Sequence, residues 1–210
     1  MKPFGNQKVY IVLNVTIAMT KLLASVKPID TNEPYNKVVN WFFSFPNEET
    51  TLSNLSEKLK ISKSTANDIV IKLLKEGFLE SKIIGRAWQI KCNQQHYYNI
   101  GRKISYNLSM VYESKISENI KKLIENPRAI ILFGSYRKGD DTENSDIDIA
   151  VEVLGEEETK IIKLGVFPTF GYRKNVVLNL HIFSRNKIDL NLFANIANGI
   201  VLQGFLEVKP

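Results

Sequence analysis

The sequence contains little cysteine and no long hydrophobic run. Its 210 residues include one cysteine, Cys92, which excludes an internal disulfide framework and fits a reducing compartment. The uncharged stretch from Val9 to Thr20 is bracketed by Lys8 and Lys21, whereas a membrane-spanning helix needs about 20 apolar residues. Polar residues within this stretch also disfavour a secretory signal peptide. We therefore expect a soluble, cytoplasmic protein without a membrane partner.

The composition is that of a folded protein with an uneven charge distribution. Hydrophobic residues make up 44% and charged residues 24% of the chain, so extensive disorder is not expected. Residues 1–126 hold 18 Lys and Arg against 11 Asp and Glu, whereas residues 127–210 hold 10 against 11. A basic first part and a nearly neutral second part indicate two functional modules, the first of which favours polyanions.

Three helices are predicted in the first module. Pro34 to Ser44 is a strongly apolar helix, and Thr51 to Leu59 places its leucines on one face. Ser62 is a good N-cap for a third helix from Lys63 to about Glu76, because its hydroxyl can accept from a free backbone N–H group. Gly77 follows this helix as a C-cap glycine.

A β-hairpin is predicted directly after the third helix. The alternating runs Phe78–Lys82 and Ala87–Lys91 are joined through a glycine turn at Gly85. Two helices, a turn, a third helix and a hairpin are typical of a winged helix-turn-helix. The stretch from Glu33 to Cys92 also resembles the helix-turn-helix of archaeal and bacterial winged-helix proteins.

This resemblance implies DNA binding by the third helix, whose N-terminal polar face would enter the major groove. Arg86 at the wing tip would then reach a phosphate or the minor groove. The sequence leaves open whether the nucleic acid is DNA or RNA. Alternatively, these are solvated helix and turn residues, and the domain mediates protein contacts. The DNA-binding residues that we predict are Lys63, Ser64, Thr65, Asn67 and Arg86.

A helical connector is predicted between the two modules. Apolar residues recur at helical spacing between His96 and Asn126, which indicates a connector followed by the first helix of the next domain. The predicted domains are therefore 1–95, with an N-terminal extension, a connector at 96–113, and a second domain at 114–210. The apolar surface from Val9 to Leu23 is available for a homodimer contact.

The second domain carries the strongest chemical pattern. Ala129 to Phe133 is predicted to be a buried strand. It leads into Gly134, where backbone N–H groups can approach a phosphate. Asp146 and Asp148 then begin a second strand, and residues at i and i+2 share a face. Two adjacent carboxylates repel each other, and a divalent cation such as Mg²⁺ removes that cost.

This Gly-Ser, ten residues, Asp-x-Asp pattern resembles the DNA polymerase beta-like nucleotidyltransferase superfamily, in its minimal branch. The resemblance spans Ser114 to Leu206 and implies an α+β fold with a small mixed sheet flanked by helices. It implies that Asp146 and Asp148 bind Mg²⁺ or Mn²⁺ beside a nucleoside triphosphate, for which we expect ATP. The nucleotide-binding residues that it implies are Gly134, Ser135, Arg137 and Lys138.

The same resemblance implies a third carboxylate on a later strand, which we place at Val176–Phe183. On that strand Asn179 and His181 share one face, and Ser184 is predicted to cap the next helix. Counting back from this cap, His181 replaces the third acid. A neutral imidazole can bind metal or accept a proton. The sequence leaves open whether His181 is catalytic or only a polar residue.

Less distinctive segments complete the second domain. We predict a short helix at Glu156–Lys163 and a loop at Gly165–Asn175. We further predict an amphipathic helix at Arg185–Ala197, which includes Asp189, and a last strand from Gly199 to Leu202.

Two functions follow from these patterns. The first is a metal-dependent nucleotidyltransferase that moves a nucleoside monophosphate from a nucleoside triphosphate to an unknown acceptor and is targeted by the winged helix. A protein acceptor is suggested by analogy with antitoxin-type minimal nucleotidyltransferases. The second is a DNA-binding transcriptional regulator whose degenerate second domain binds nucleotide without turnover.

Overall fold

The computed structural model describes residues 23–29, 33–85, 87–155 and 158–208. Its N-terminal part combines helices with a three-stranded antiparallel sheet of order β1-β3-β2. The helices are α1 (Pro34–Ser44), α2 (Leu52–Leu59) and α3 (Lys63–Lys75). The strands are β1 (Thr50–Thr51), β2 (Leu79–Ile84) and β3 (Ala87–Cys92).

Local signals account for these boundaries. Ser62 accepts a hydrogen bond from the Thr65 N–H at 3.0 Å and so caps α3. Gly77 follows α3 with φ +78°, a backbone conformation in which an L side chain is strained. The predicted α1 and α3 agree with the structure to within one residue. The sequence did not indicate β1, because two threonines form a strand only through their pairing with β3.

Two helices connect this part of the chain to the larger sheet, α4 (Arg102–Glu113) and α5 (Ile116–Leu123). They confirm the two helices expected between residues 96 and 126. Tyr106 of α4 packs against the hydrophobic cores of both parts of the molecule. α4 is therefore a shared element rather than a free linker.

The C-terminal part is a mixed five-stranded sheet of order β6-β7-β5-β4-β8 with helices packed on it, which confirms the predicted α+β class. β5 pairs in parallel with β7, and the other neighbours pair antiparallel. Its strands are β4 (Ala129–Phe133), β5 (Ile147–Glu152), β6 (Lys160–Phe170), β7 (Arg173–Phe183) and β8 (Ile200–Gly204). Its helices are the short α6 (Gly134–Lys138) and α7 (Leu190–Ala197).

Two predictions between β5 and β7 are wrong. The described residues of the predicted helix Glu156–Lys163 lead into strand β6, and the predicted loop Gly165–Asn175 forms the rest of a β6–β7 hairpin. Pro168 suggested a loop, but β6 is an edge strand, where proline is tolerated. Gly171, with φ +63°, lies in the tight turn that joins the two strands.

The predicted helix Arg185–Ala197 is also divided. A 3₁₀ turn covers Arg185–Lys187, and α7 begins only at Leu190. Asp189 caps α7 by accepting from the N–H groups of Asn191 and Leu192, each at 3.0 Å. Ser184 makes no side-chain capping bond, and the helix that it was expected to cap begins only at Leu190.

Parts of the prediction lie outside the described residues, namely Arg86 and the stretch from Val9 to Thr20. Over the described ranges, no helix is both long and apolar enough to cross a membrane. Cys92 is buried at the end of β3, and this burial raises the pKa of its thiol to about 11.

The cap of α3 gives a first testable prediction. Ser62→Ala should lower the free energy of unfolding by about 1 kcal/mol, the usual cost of a lost N-cap. Urea denaturation followed by tryptophan fluorescence would measure it. Ser53→Ala, an exposed serine of α2, is the matched control and should change stability by less than about 0.5 kcal/mol. Equal losses in the two variants would contradict the capping role.

Candidate active site

Asp146 and Asp148 lie where β5 begins, at the centre of the five-stranded sheet. Asp146 directly precedes the strand, and Asp148 is its second residue. Register places Asp148 between Phe133 of β4 and Asn179 of β7. Because residues at i and i+2 project to the same side of a strand, the two carboxylates face one region.

Asn179 bridges the two carboxylates. Its Nδ2 donates to Asp146 Oδ2 and to Asp148 Oδ1, each at 3.2 Å. A shared donor offsets part of the repulsion between two adjacent anions. The sequence correctly placed Asn179 on this face but did not indicate that it would contact both acids.

His181, which lies on β7 with Asn179, also contacts Asp148. Its Nε2 lies 3.3 Å from Asp148 Oδ1, and its ring meets Phe133 edge-on with centroids 4.8 Å apart. An ionised carboxylate only accepts hydrogen bonds, so Nε2 carries the proton and donates. The side chain is buried, and among the described residues its Nδ1 has no hydrogen-bond partner. His181 therefore acts on Asp148 as a hydrogen-bond donor.

Gly134 lies next to the other carboxylate oxygen of Asp148, the one that does not contact Asn179 or His181. It follows β4 with φ +72°, and a Cβ atom placed there would lie 2.8 Å from Asp148 Oδ2. Asp148 thus turns one oxygen to Asn179 and His181 and the other to Gly134. Glycine is favoured at this position by its backbone conformation, and it leaves the space that Asp148 Oδ2 occupies.

The other predicted nucleotide-binding residues lie in α6, directly after Gly134. Ser135 and Arg137 are half-buried, and Lys138 is exposed at the C-terminal end of the helix. They add one hydroxyl and two positive charges to this short helix. The structure therefore brings Gly134 close to Asp148, and it places the two cations in the last turn of the helix that begins at Gly134.

The donor set fits a hard divalent cation. Asp146 and Asp148 converge on one amide, and carboxylate oxygens are what Mg²⁺ and Mn²⁺ prefer. Mg²⁺ is commonly held by one or two carboxylates and completed by substrate phosphates and water. Within the described ranges, no group of three or more His, Cys, Asp or Glu residues is arranged to hold a metal ion. The fit therefore rests on the two aspartates.

A buried polar network holds the loop Asp140–Ser145, which leads from α6 to Asp146. Its central carboxylate, Asp141, is 2% exposed and lies 3.3 Å from Lys103 Nζ of α4. Burial raises the pKa of Asp141, and Lys103, Asn107 and Arg173 oppose that rise. Sequence patterns did not indicate this network, because its members come from separate elements and one lay in a predicted loop.

The remaining acid of β5 does not join the site. Glu152 is buried four residues beyond Asp148, and its Oε1 lies 3.0 Å from Arg185 Nη2. Asp189, the N-cap of α7, is likewise engaged elsewhere. Neither residue therefore supplies a third carboxylate beside Asp146 and Asp148.

Comparison with known families identifies the segment that carries this site. Residues 114–204 match the family model described as Polymerase beta, Nucleotidyltransferase. Neither the curated proteins nor the solved structures gave a match to the chain. Residues 114–204 are thus a polymerase-beta nucleotidyltransferase domain, which occupies less than half of the 210 residues.

The close approach of Gly134 to Asp148 gives a second testable prediction. Gly134→Ala should lose about 1–2 kcal/mol of stability through its positive φ and should also displace Asp148. Gly77→Ala is the matched control, since Gly77 has φ +78° and nothing within 4 Å of the added Cβ. Chemical denaturation would measure stability, and the NMR signal of the Asn179 side-chain amide would report the displacement. An unmoved Asn179 signal in Gly134→Ala would contradict the steric argument.

Proposed function

We propose that the protein is a metal-dependent nucleotidyltransferase that transfers a nucleoside monophosphate from a nucleoside triphosphate to an acceptor hydroxyl. The observation that carries this proposal is the convergence of Asp146 and Asp148 on Asn179, next to Gly134, in a matched nucleotidyltransferase domain. Paired acids at a glycine turn are the arrangement that a triphosphate and its cation require.

Each residue has a proposed role. Asp146 and Asp148 would hold Mg²⁺ or Mn²⁺, which would neutralise charge on the phosphates as they react. Gly134 and Ser135 would hold the triphosphate, with ATP as the expected substrate. Arg137 and Lys138 would add positive charge near the phosphates. In the reaction the acceptor hydroxyl would give its proton to water as its oxygen bonds to the α-phosphorus, and the bond to the leaving pyrophosphate would break on the opposite side.

Asn179 and His181 would orient Asp148 rather than supply a third acidic ligand. Both donate to Asp148 Oδ1, and such partners fix the geometry of a metal-binding carboxylate. Oδ2 of Asp148, on the side of Gly134, would then be the oxygen that faces the nucleotide. This arrangement supports a site with one cation held by the protein and the substrate together.

The N-terminal part is proposed to be a winged helix-turn-helix that targets the catalytic domain to DNA. The succession α1, β1, α2, α3, β2, β3 and the three-stranded sheet support this. Lys63 and Ser64 are exposed at the start of α3, where a recognition helix reads bases. Thr65 and Asn67 are half-buried beside them. Thr65 Oγ1 lies 2.7 Å from Ser62 Oγ, so part of its hydroxyl capacity already serves the cap.

One observation favours a second candidate, a DNA-binding regulator that binds nucleotide without turnover. β7 presents an amide and an imidazole to the two aspartates, and neither group adds negative charge. A site with fewer charges binds its cation less strongly and stabilises the transition state less. A regulator of this kind would transfer no group, so it would need no nucleic-acid or protein acceptor.

Label transfer separates the two functions. Incubation with ATP radiolabelled on its α-phosphorus, together with Mg²⁺, DNA, RNA and cell-extract proteins, should label an acceptor with the wild-type protein. Asp146→Asn and Asp148→Asn should abolish transfer, because each removes a proposed cation ligand. Asp140→Asn, an exposed aspartate of the same loop, is the control that should retain it. Nucleotide binding without labelling of any acceptor, with DNA affinity that responds to nucleotide, would support the regulator.

A salt titration tests the winged helix. Each of Lys63→Ala and Arg86→Ala should reduce the slope of log K against log[salt] for duplex DNA by about one, since each removes one positive charge from the proposed DNA interface. Lys121→Ala is the control, because Lys121 is exposed on α5 and should leave the slope unchanged. Identical slopes for all four proteins would argue against DNA contact by α3 and the wing.

A further inference from the structure

The peptide that leads into Asp146 is held by an arginine from a distant strand. Arg173 begins β7 and is 4% exposed. Its Nη2 donates to the carbonyl oxygen of Ser145, the residue that directly precedes Asp146. Its Nη1 donates to the carbonyl oxygen of Thr142 at 2.9 Å, in the same loop.

The same guanidinium also contacts α6, the helix that carries the Gly-Ser part of the Gly-Ser…Asp-x-Asp pattern. Nη1 also donates to the hydroxyl of Tyr136 in α6 at 2.8 Å, and the guanidinium lies over the Tyr136 ring, 5.3 Å from its centroid. These three acceptors lie on the two segments that flank the predicted nucleotide site, and none belongs to the β6–β7 hairpin. A planar fork with several fixed donors joins separate acceptors in a way that an apolar side chain of equal size cannot.

Asp141 extends this contact to α4. Asn107 Nδ2 donates to Asp141 Oδ1 at 2.7 Å and to the Tyr136 carbonyl oxygen at 3.1 Å. Lys103 Nζ donates to the Asp141 carbonyl oxygen, and Arg173 Nη1 lies 3.8 Å from Asp141 Oδ2. Buried charges are retained at a cost in desolvation, so such a network favours a specific geometry more than it adds stability.

We propose that Arg173 is a positioning residue for Asp146: it fixes the peptide before the carboxylate and ties it to α6. The proposal rests on the proposed function, in which Asp146 holds the cation. The effect of Arg173 on Asp146 passes through its hydrogen bond to the Ser145 carbonyl oxygen. Lys103 and Asn107 complete the same support from α4, outside the matched nucleotidyltransferase segment.

The test uses the full chain and two readouts. In Arg173→Lys the charge remains but the fork is lost, and in Arg173→Met both are lost. We expect both variants to shift the NMR signals of the Asp146 backbone amide and the Asn179 side-chain amide. We also expect about a 10-fold loss of Mn²⁺ affinity, measured by electron paramagnetic resonance, as for residues that hold a metal ligand in place. Arg185→Met is the matched control, because Arg185 pairs with Glu152 and Glu207 away from this loop.

The outcomes separate this proposal from the proposed function. Unchanged Asp146 and Asn179 signals in folded Arg173 variants, or equal shifts in Arg185→Met, would overturn the positioning role. If Arg173→Met does not fold, Arg173→Lys decides on the same readouts. Wild-type Mn²⁺ affinity in Asp146→Asn would instead overturn the cation site. The NMR comparison would then still decide whether Arg173 sets the geometry of Asp146.

Discussion

β5 pairs in parallel with β7, and this register places Asn179 beside Asp148. The candidate site depends on that single alignment. A slip by one residue would turn Asn179 and His181 into the core and would expose Leu178 and Leu180. Burial of these leucines therefore fixes the register, and the register in turn delivers two hydrogen-bond donors to the aspartates. In this way the hydrophobic core determines the electrostatics of the site.

Local chemistry made part of the structure predictable. α1 and α3 carry their boundary signals within the sequence, in Pro34, Ser62 and Gly77. The aspartate pair was predictable because strand periodicity alone places Asp146 and Asp148 on one side. The β6–β7 hairpin was not, because Pro168 and Gly171 are typical of loops and only the pairing partner shows that they belong to a hairpin. Likewise Arg173, Lys103 and Asp141 meet only after β7, α4 and the loop Asp140–Ser145 have packed together.

The two parts of the chain are joined by more than covalent continuity. Phe43 of α1 and Tyr106 of α4 have ring centroids 6.3 Å apart, next to the buried network around Asp141. At the surface, Asn47 Nδ2 lies 3.3 Å from Glu143 Oε1, in the same loop that leads to Asp146. The proposed winged helix therefore packs against the loop that leads to the proposed catalytic acids. The proposed DNA-binding part and the proposed nucleotide site are thus in contact through this loop.

Lys103 and Asn107 lie before residue 114, where the matched domain begins, although the carboxylate that they contact lies inside it. The segment that matches the family model therefore begins after two of the residues that contact its buried carboxylate. A fragment cut at residue 114 would keep every residue of the Gly-Ser…Asp-x-Asp pattern. It would nevertheless expose the apolar underside of the sheet and leave Asp141 facing water in place of α4. The helix that precedes the matched segment thus supplies both apolar and polar contacts to it.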